Sequence, residues 1–149
     1  MSEVYSEGRW KLAKMDGTRN YAGGDLEVAD PTEADFRSAA TMRMETLVLS
    51  GTLGVGTRVK LTCHVGGGIR TVVVSAELPA PEVFMRALAE LSARAEDLAG
   101  ESERGASFLE DVAAQADDMA EWVDDNGRVT DEQLRAYLNW SRGVDAWDR

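Results

Sequence analysis

Cysteine and histidine are almost missing from this sequence, whose 149 residues include one of each, Cys63 and His64. A lone cysteine forms no intrachain disulfide, so the fold needs no oxidising compartment, and we expect a protein that is cytoplasmic or carried in a particle. One histidine and one cysteine also fall short of the usual zinc ligand sets. We therefore expect no metal site and no cofactor.

Long apolar runs are missing as well. The longest, TLVL and TVVV, fall far short of the ~20 residues that span a bilayer. The N-terminal MSEVYSEGRWKLAK lacks the continuous apolar stretch of a signal peptide. We expect no membrane association and no secretion by a visible signal.

Basic residues are scarce in one part of the chain. The net charge is −11, from 16 basic and 27 acidic residues, and residues 82–125 hold 13 acidic but only 3 basic residues. Residues 1–81 are nearly balanced, with 10 acidic and 9 basic residues. Because an acidic surface repels phosphate backbones, we expect no direct nucleic-acid binding unless the basic residues of the first half form a separate patch. A protein with a basic surface is the better expected partner.

The composition changes at Pro79 and Pro81. Glycine-rich turns and β-branched runs precede these prolines, and an alanine- and leucine-rich stretch follows them. The pattern predicts an α+β protein with an antiparallel β-rich N-terminal half and a C-terminal three-helix segment, a helical hairpin plus one helix. We place a β-rich lobe at residues 1–79 and an acidic helical lobe at residues 80–149. A single compact domain stays open as an alternative.

The first part of the β-rich lobe contains a predicted hairpin and an ambiguous segment. Asp16-Gly17 suits a tight turn between RWKLAKM and TRNYA. Further on, Asp30 followed by Pro31 resembles a helix start, with Glu33 completing a capping box. FRSAATMRMETLVL also alternates like a strand, so residues 31–40 stay open between helix and strand, whereas residues 41–50 are predicted as strand. GTLGVGT then becomes a connection between strands.

The segment TRVKLTCHV alternates apolar and polar residues and predicts a half-buried strand. Neighbouring strand residues point to opposite faces, so Cys63 should face inward and His64 outward, and the two do not form a nucleophile and base pair. IRTVVVSA is the predicted return strand, with the turn at the three glycines between them. No catalytic residue is assigned.

Apolar residues recur at alternating steps of four and three in residues 81–99 and again in residues 106–124. Such seams are typical of packed helices, and the short linker between them predicts an antiparallel hairpin. A third helix is predicted from about Asp131 to Arg142.

Residues 122–133, WVDDNGRVTDEQ, resemble the calcium-binding loop of an EF-hand. Asp124 and Asn126 match the third and fifth positions, and the glycine of the sharp turn is present. The family's first aspartate and last glutamate are replaced by Trp122 and Gln133, so the resemblance implies a weak site at most.

The same segment is explained without metal. Asn126-Gly127 suits a left-handed helix cap, and Thr130 with Gln133 suits the capping box of the next helix. We favour this interpretation.

Carboxylates stand in adjacent pairs, seven residues apart, along the second helix of the predicted hairpin. Seven residues are two helical turns, so the pairs lie on one face about 10.5 Å apart. Neighbouring like charges destabilise a helix, which favours a binding role, although charge runs are often simply a solvated face. The C-terminal tryptophans are further candidates, because they either pack on the helices or anchor a partner. The candidate partner-binding residues are Glu110, Asp111, Asp117, Asp118, Glu121, Asp124, Asp125, Trp140 and Trp147.

The function we predict is a non-enzymatic protein-protein interaction or assembly module whose acidic helical face contacts a basic partner surface. A nucleic-acid-mimicking inhibitor of a DNA- or RNA-binding protein is one alternative. A small-ligand-binding or hydrolytic domain that uses the β-rich half is another. The short, acidic composition is typical of many accessory proteins of bacteriophages and bacteria, and a homo-oligomer stays open.

Overall fold

A computed structural model describes residues 8–65, 68–102 and 106–148. The chain divides into two compact units, Met1–Glu77 and Leu78–Arg149. In the described part, an antiparallel sheet in the N-terminal half is followed by three helices, which confirms the predicted α+β fold. The elements are β1 (Arg9–Lys14), β2 (Asn20–Asp25), α1 (Glu33–Leu49), β3 (Arg58–Val65), β4 (Gly68–Ser75), α2 (Pro81–Glu101), α3 (Ala106–Asn126) and α4 (Asp131–Trp147).

The sheet has the strand order β2-β1-β3-β4, and every neighbouring pair is antiparallel. The predicted hairpin turn joins β1 to β2, where Gly17 has a φ of 76° and its N–H donates to the Lys14 carbonyl at 2.8 Å. The β3–β4 hairpin also forms as the alternation predicts, pairing Arg58 with Ser75 at its open end. Its turn residues 66–67, like the N-terminal residues 1–7, lie outside the described residues.

The strand predicted at residues 41–50 is wrong, because α1 continues through Leu49 and includes most of the ambiguous segment before it. A strand would place Met42 and Met44 on the same face, yet their exposed fractions are 69% and 5%. The buried residues instead recur at every fourth position, which is a helical stripe. The GTLGVGT segment therefore joins a helix to β3 and does not connect two strands.

The helix cap predicted at Asp30 with Glu33 is also wrong, because α1 is capped two residues later. The Thr32 hydroxyl accepts from the Asp35 N–H at 3.3 Å, and the Asp35 carboxylate accepts from the Thr32 N–H at 2.8 Å. The second of these bonds holds the pKa of Asp35 below its ordinary value. Asp30 has a φ of 49°, the left-handed region, which is incompatible with the extended backbone of an N-cap.

Helix α1 contacts β1 and β3 and covers one face of the sheet. That face carries Leu12, Leu61 and Cys63, all with no exposed surface. Trp10 pairs with Cys63 across the strands, and a Cβ at Gly24 would lie 3.1 Å from the Trp10 indole. A side chain at Gly24 would therefore require the indole to move by a few tenths of an ångström.

The C-terminal unit is built on the predicted hairpin of α2 and α3. Two helices of 21 residues, joined by residues 102–105, pack along their length and so run antiparallel. Ser92, which is buried in α2, donates to the Ala113 carbonyl of α3 at 3.3 Å. The third helix extends to Trp147, five residues beyond its predicted end. No helix in the described ranges has the length and apolarity to cross a membrane.

Candidate interaction surfaces

The predicted carboxylates of α3 all lie on the exposed surface of that helix. At about 100° per residue they fall within an arc of about 140°, on the side away from the buried stripe of Leu109, Val112, Ala116 and Val123. We call this surface the acidic ridge. Its members are Glu110, Asp111, Asp117, Asp118, Glu121, Asp124 and Asp125.

The acidic ridge is not neutralised locally. Among the residues that the structure describes, no ridge carboxylate lies within 4.0 Å of a basic side chain. Asp124 and Asp125 also stand in the last turn of α3, where the negative end of the helix dipole disfavours a carboxylate. The last turn of α4 differs, because Arg94 of α2 donates to both Asp145 and Asp148 there.

The two candidate tryptophans occupy different environments on α4. Trp140 is partly buried and packs against the core cluster of the helices. Trp147 is 37% exposed. Trp122, which was not among the predicted partner-binding residues, is also 37% exposed. It lies at the border of the acidic ridge on α3, with the Arg128 guanidinium 5.5 Å from its ring centroid.

The segment that resembles an EF-hand loop is helical in its first part, because α3 continues through Asn126 and contains Asp124. Gly127 has a φ of 65° and ends the helix, which confirms the predicted left-handed cap. Thr130 and Gln133 form the predicted capping box, with bonds of 2.9 and 3.2 Å. Within the described ranges, no group of three or more His, Cys, Asp or Glu side chains could hold a metal ion.

Cys63 and His64 point to opposite faces of β3, as the alternation predicts. Cys63 is fully buried under α1, whereas His64 is half-buried on the other face. Burial raises the pKa of the Cys63 thiol, and the nearby Glu33 carboxylate raises it further. The thiol is therefore protonated near neutral pH and is a poor nucleophile.

The face of the sheet opposite α1 carries cations that the sequence analysis did not join into one surface. Arg9 and Lys11 on β1, and Arg58 and Lys60 on β3, alternate with the buried residues of their strands. Because β1 and β3 are neighbours in the sheet, the four share one face, which we call the basic face. None of the four has a carboxylate within 4.0 Å in the part of the chain described.

An open cleft of about 630 Å³ lies at the β1–β2 side of the basic face. Arg9 and Lys11 line it together with Asn20, Asp25 and His64. In the β1–β2 register, Arg9 pairs with Asp25, and Lys11 pairs with Gly23, which has no side chain. The lining therefore combines cationic, amide and carboxylate groups with the Tyr21 side chain and the glycines of β2.

Comparison with protein-family models, curated proteins and solved structures gives no match for this chain. The surfaces themselves are the basis for a functional proposal.

Proposed function

We propose that this protein is a non-enzymatic interaction or assembly module whose acidic ridge contacts a basic surface of a partner protein. The supporting observation is the concentration of exposed carboxylates on one side of α3, without cation partners among the residues described. Elsewhere on the same hairpin, Arg94 satisfies the carboxylates at the end of α4. The contrast favours a partner molecule as the source of the missing counter-charge.

A basic partner would reduce the electrostatic repulsion within the acidic ridge. Glu121 stands three or four residues from Asp117, Asp118, Asp124 and Asp125, and like charges at these spacings destabilise an isolated helix. Lysine or arginine side chains of a partner would relieve that repulsion and also steer the encounter between the two proteins. The repulsion is thus a cost in the free protein that binding removes.

Exposed tryptophan supplies the apolar component that a charged ridge lacks. Trp122 borders the ridge, and Trp147 is exposed at the end of α4. Tryptophan is enriched among residues that dominate interface energetics, and charged rim contacts usually contribute more to association rate and specificity. We assign Trp122 the role of an anchor beside the ridge.

Affinity capture with a charge-reversed variant tests the proposal. The ridge variant carries Asp117→Lys, Asp118→Lys, Glu121→Lys and Asp124→Lys. The control variant carries the same change in net charge on exposed carboxylates of α2: Glu90→Lys, Glu96→Lys, Asp97→Lys and Glu101→Lys. A partner captured by the wild-type chain should be lost with the ridge variant and retained with the control.

Retention of the partner by a folded ridge variant would contradict the proposal, as would equal loss with both variants. Competition distinguishes the narrower hypothesis of nucleic-acid mimicry. A mimic is displaced from its partner by the DNA or RNA that the partner binds, and its affinity falls steeply with salt. An assembly module instead remains in a defined complex when nucleic acid is added.

A further inference from the structure

We propose that the cleft on the basic face binds a small ligand that carries a phosphate group. Arg9 and Lys11 lie on the same side of β1, two residues and so about 6.6 Å apart, and both line the cleft. Arginine matches the oxygen geometry of phosphate with paired N–H donors, and lysine adds a point charge. His64 from β3 belongs to the same lining.

The size of the cleft fits a small molecule. Its volume of about 630 Å³ lies inside the ~300–1,000 Å³ range of small-ligand sites. Asn20 and Asp25 supply an amide and a carboxylate at the same site. The amide suits the hydroxyl or amino groups of a phosphate ester whose phosphate is held by Arg9 and Lys11, whereas the Asp25 carboxylate repels that phosphate.

The charge of the whole chain favours a small ligand over a nucleic acid. The net charge of −11 repels a long polyanion along its whole approach. A small ligand inside the cleft is affected chiefly by groups within about 8 Å, the Debye length at physiological ionic strength. Among the described residues that line the cleft, the cations Arg9 and Lys11 outnumber the carboxylate of Asp25. The site belongs to the N-terminal unit alone, so it does not depend on the role of the acidic ridge.

Titration of the full chain with adenosine monophosphate, followed by two-dimensional amide NMR spectra, tests the site. Signals of Arg9, Lys11, Gly23 and His64 should shift together and saturate. Inorganic phosphate, used as a second probe, should shift the Arg9 and Lys11 signals. The absence of these shifts with both probes at about 10 mM, well above a millimolar Kd, would overturn the proposal.

Three charge substitutions have three different expected effects on binding. Lys11→Gln should weaken binding of adenosine monophosphate about three- to tenfold, because it removes an attractive charge next to the phosphate. Asp25→Asn should tighten binding about threefold, because it removes a repulsive charge. Arg43→Gln, an exposed arginine on α1 at the other face of the sheet, should leave the affinity unchanged.

Equal weakening by Lys11→Gln and Arg43→Gln would show only a general charge effect and would overturn the site. Weaker binding of adenosine monophosphate by Asp25→Asn would show that the carboxylate attracts the ligand instead of repelling it, and would overturn the phosphate assignment. A single-stranded oligonucleotide that binds more tightly than adenosine monophosphate through the same residues would make nucleic acid the occupant. Amide dispersion in the spectra confirms that each variant is folded before its affinity is compared.

Discussion

Replacing Glu121 by glutamine should stabilise the protein, because Glu121 is the most crowded carboxylate of the acidic ridge. Asp117, Asp118, Asp124 and Asp125 stand three or four positions from it on α3. Residues at these spacings are neighbours on a helix surface, with Cβ atoms about 5–6 Å apart. The substitution keeps the length and the helix propensity of the side chain, so it isolates the effect of the charge.

The expected gain follows from the four like-charge pairs that are removed. Each pair destabilises a helix by about 0.2–0.5 kcal/mol, so four contribute about 1–2 kcal/mol at low salt. In a chain of 149 residues, a gain of about 1 kcal/mol raises Tm by about 2–4 °C. The gain should shrink at about 0.5 M salt, because exposed charges are then largely screened.

Thermal unfolding of the full chain, followed by far-UV circular dichroism at low and high salt, measures the effect. Glu110→Gln is the matched control, since it lies on the same ridge but has alanine or serine at every position three or four residues away. Glu110 also lies outside the first and last turns of α3, where the helix dipole has little effect, so its replacement should leave Tm unchanged. An unchanged or lowered Tm for Glu121→Gln at low salt would refute the reasoning, and so would a gain that salt does not reduce.

Three other substitutions test the packing and the capping. The hydrogen bond from the Thr32 N–H lowers the pKa of the Asp35 carboxyl. The carboxylate therefore stabilises the fold above the ordinary aspartate pKa, and this stabilisation is lost as the pH falls through the lowered pKa. The free energy of unfolding in urea, measured between neutral and acidic pH, should depend less on pH in Asp35→Asn. The buried Cys63 thiol should resist a thiol reagent until the chain unfolds, and Cys63→Ala should lower the free energy of unfolding by about 1–2 kcal/mol. Replacing a helical glycine by alanine stabilises a helix by about 1 kcal/mol, but a Cβ at Gly143 would lie 2.7 Å from the Phe108 ring. Gly143→Ala should therefore raise the free energy of unfolding more when Phe108→Ala is also present, as measured in a double-mutant cycle.

The predictions for secondary structure were accurate where one periodicity dominated the sequence. The predicted helix at residues 81–99 became Pro81–Glu101, and the alternation around Cys63 placed that residue in the core. Residues 41–50 were wrongly predicted as strand because methionines at positions 42 and 44 imitate strand alternation, although only Met44 is buried. The helical and the strand interpretation of this segment are distinguished only by which side chains are buried when α1 covers the sheet.

The acidic ridge could be predicted from the sequence, but the basic face could not. The ridge lies within a single helix, so the spacing of its residues along the chain determines their positions on the surface. The basic face depends on the pairing of β1 with β3, which are separated in sequence by β2 and α1. The alternating cations of RWK and RVK were the available signal, and only the strand order brings them together.

The uneven distribution of charge explains why net charge alone is a poor guide to the ligands of this chain. The excess of acid comes from residues 82–125, whereas the N-terminal half is nearly neutral and carries four cations on one face of its sheet. Long-range repulsion depends on the total charge, but binding within a cleft depends on groups within about one Debye length. The proposed phosphate site is therefore compatible with a net charge that disfavours a polyanion, and the opposite signs expected for Lys11→Gln and Asp25→Asn follow from that local balance.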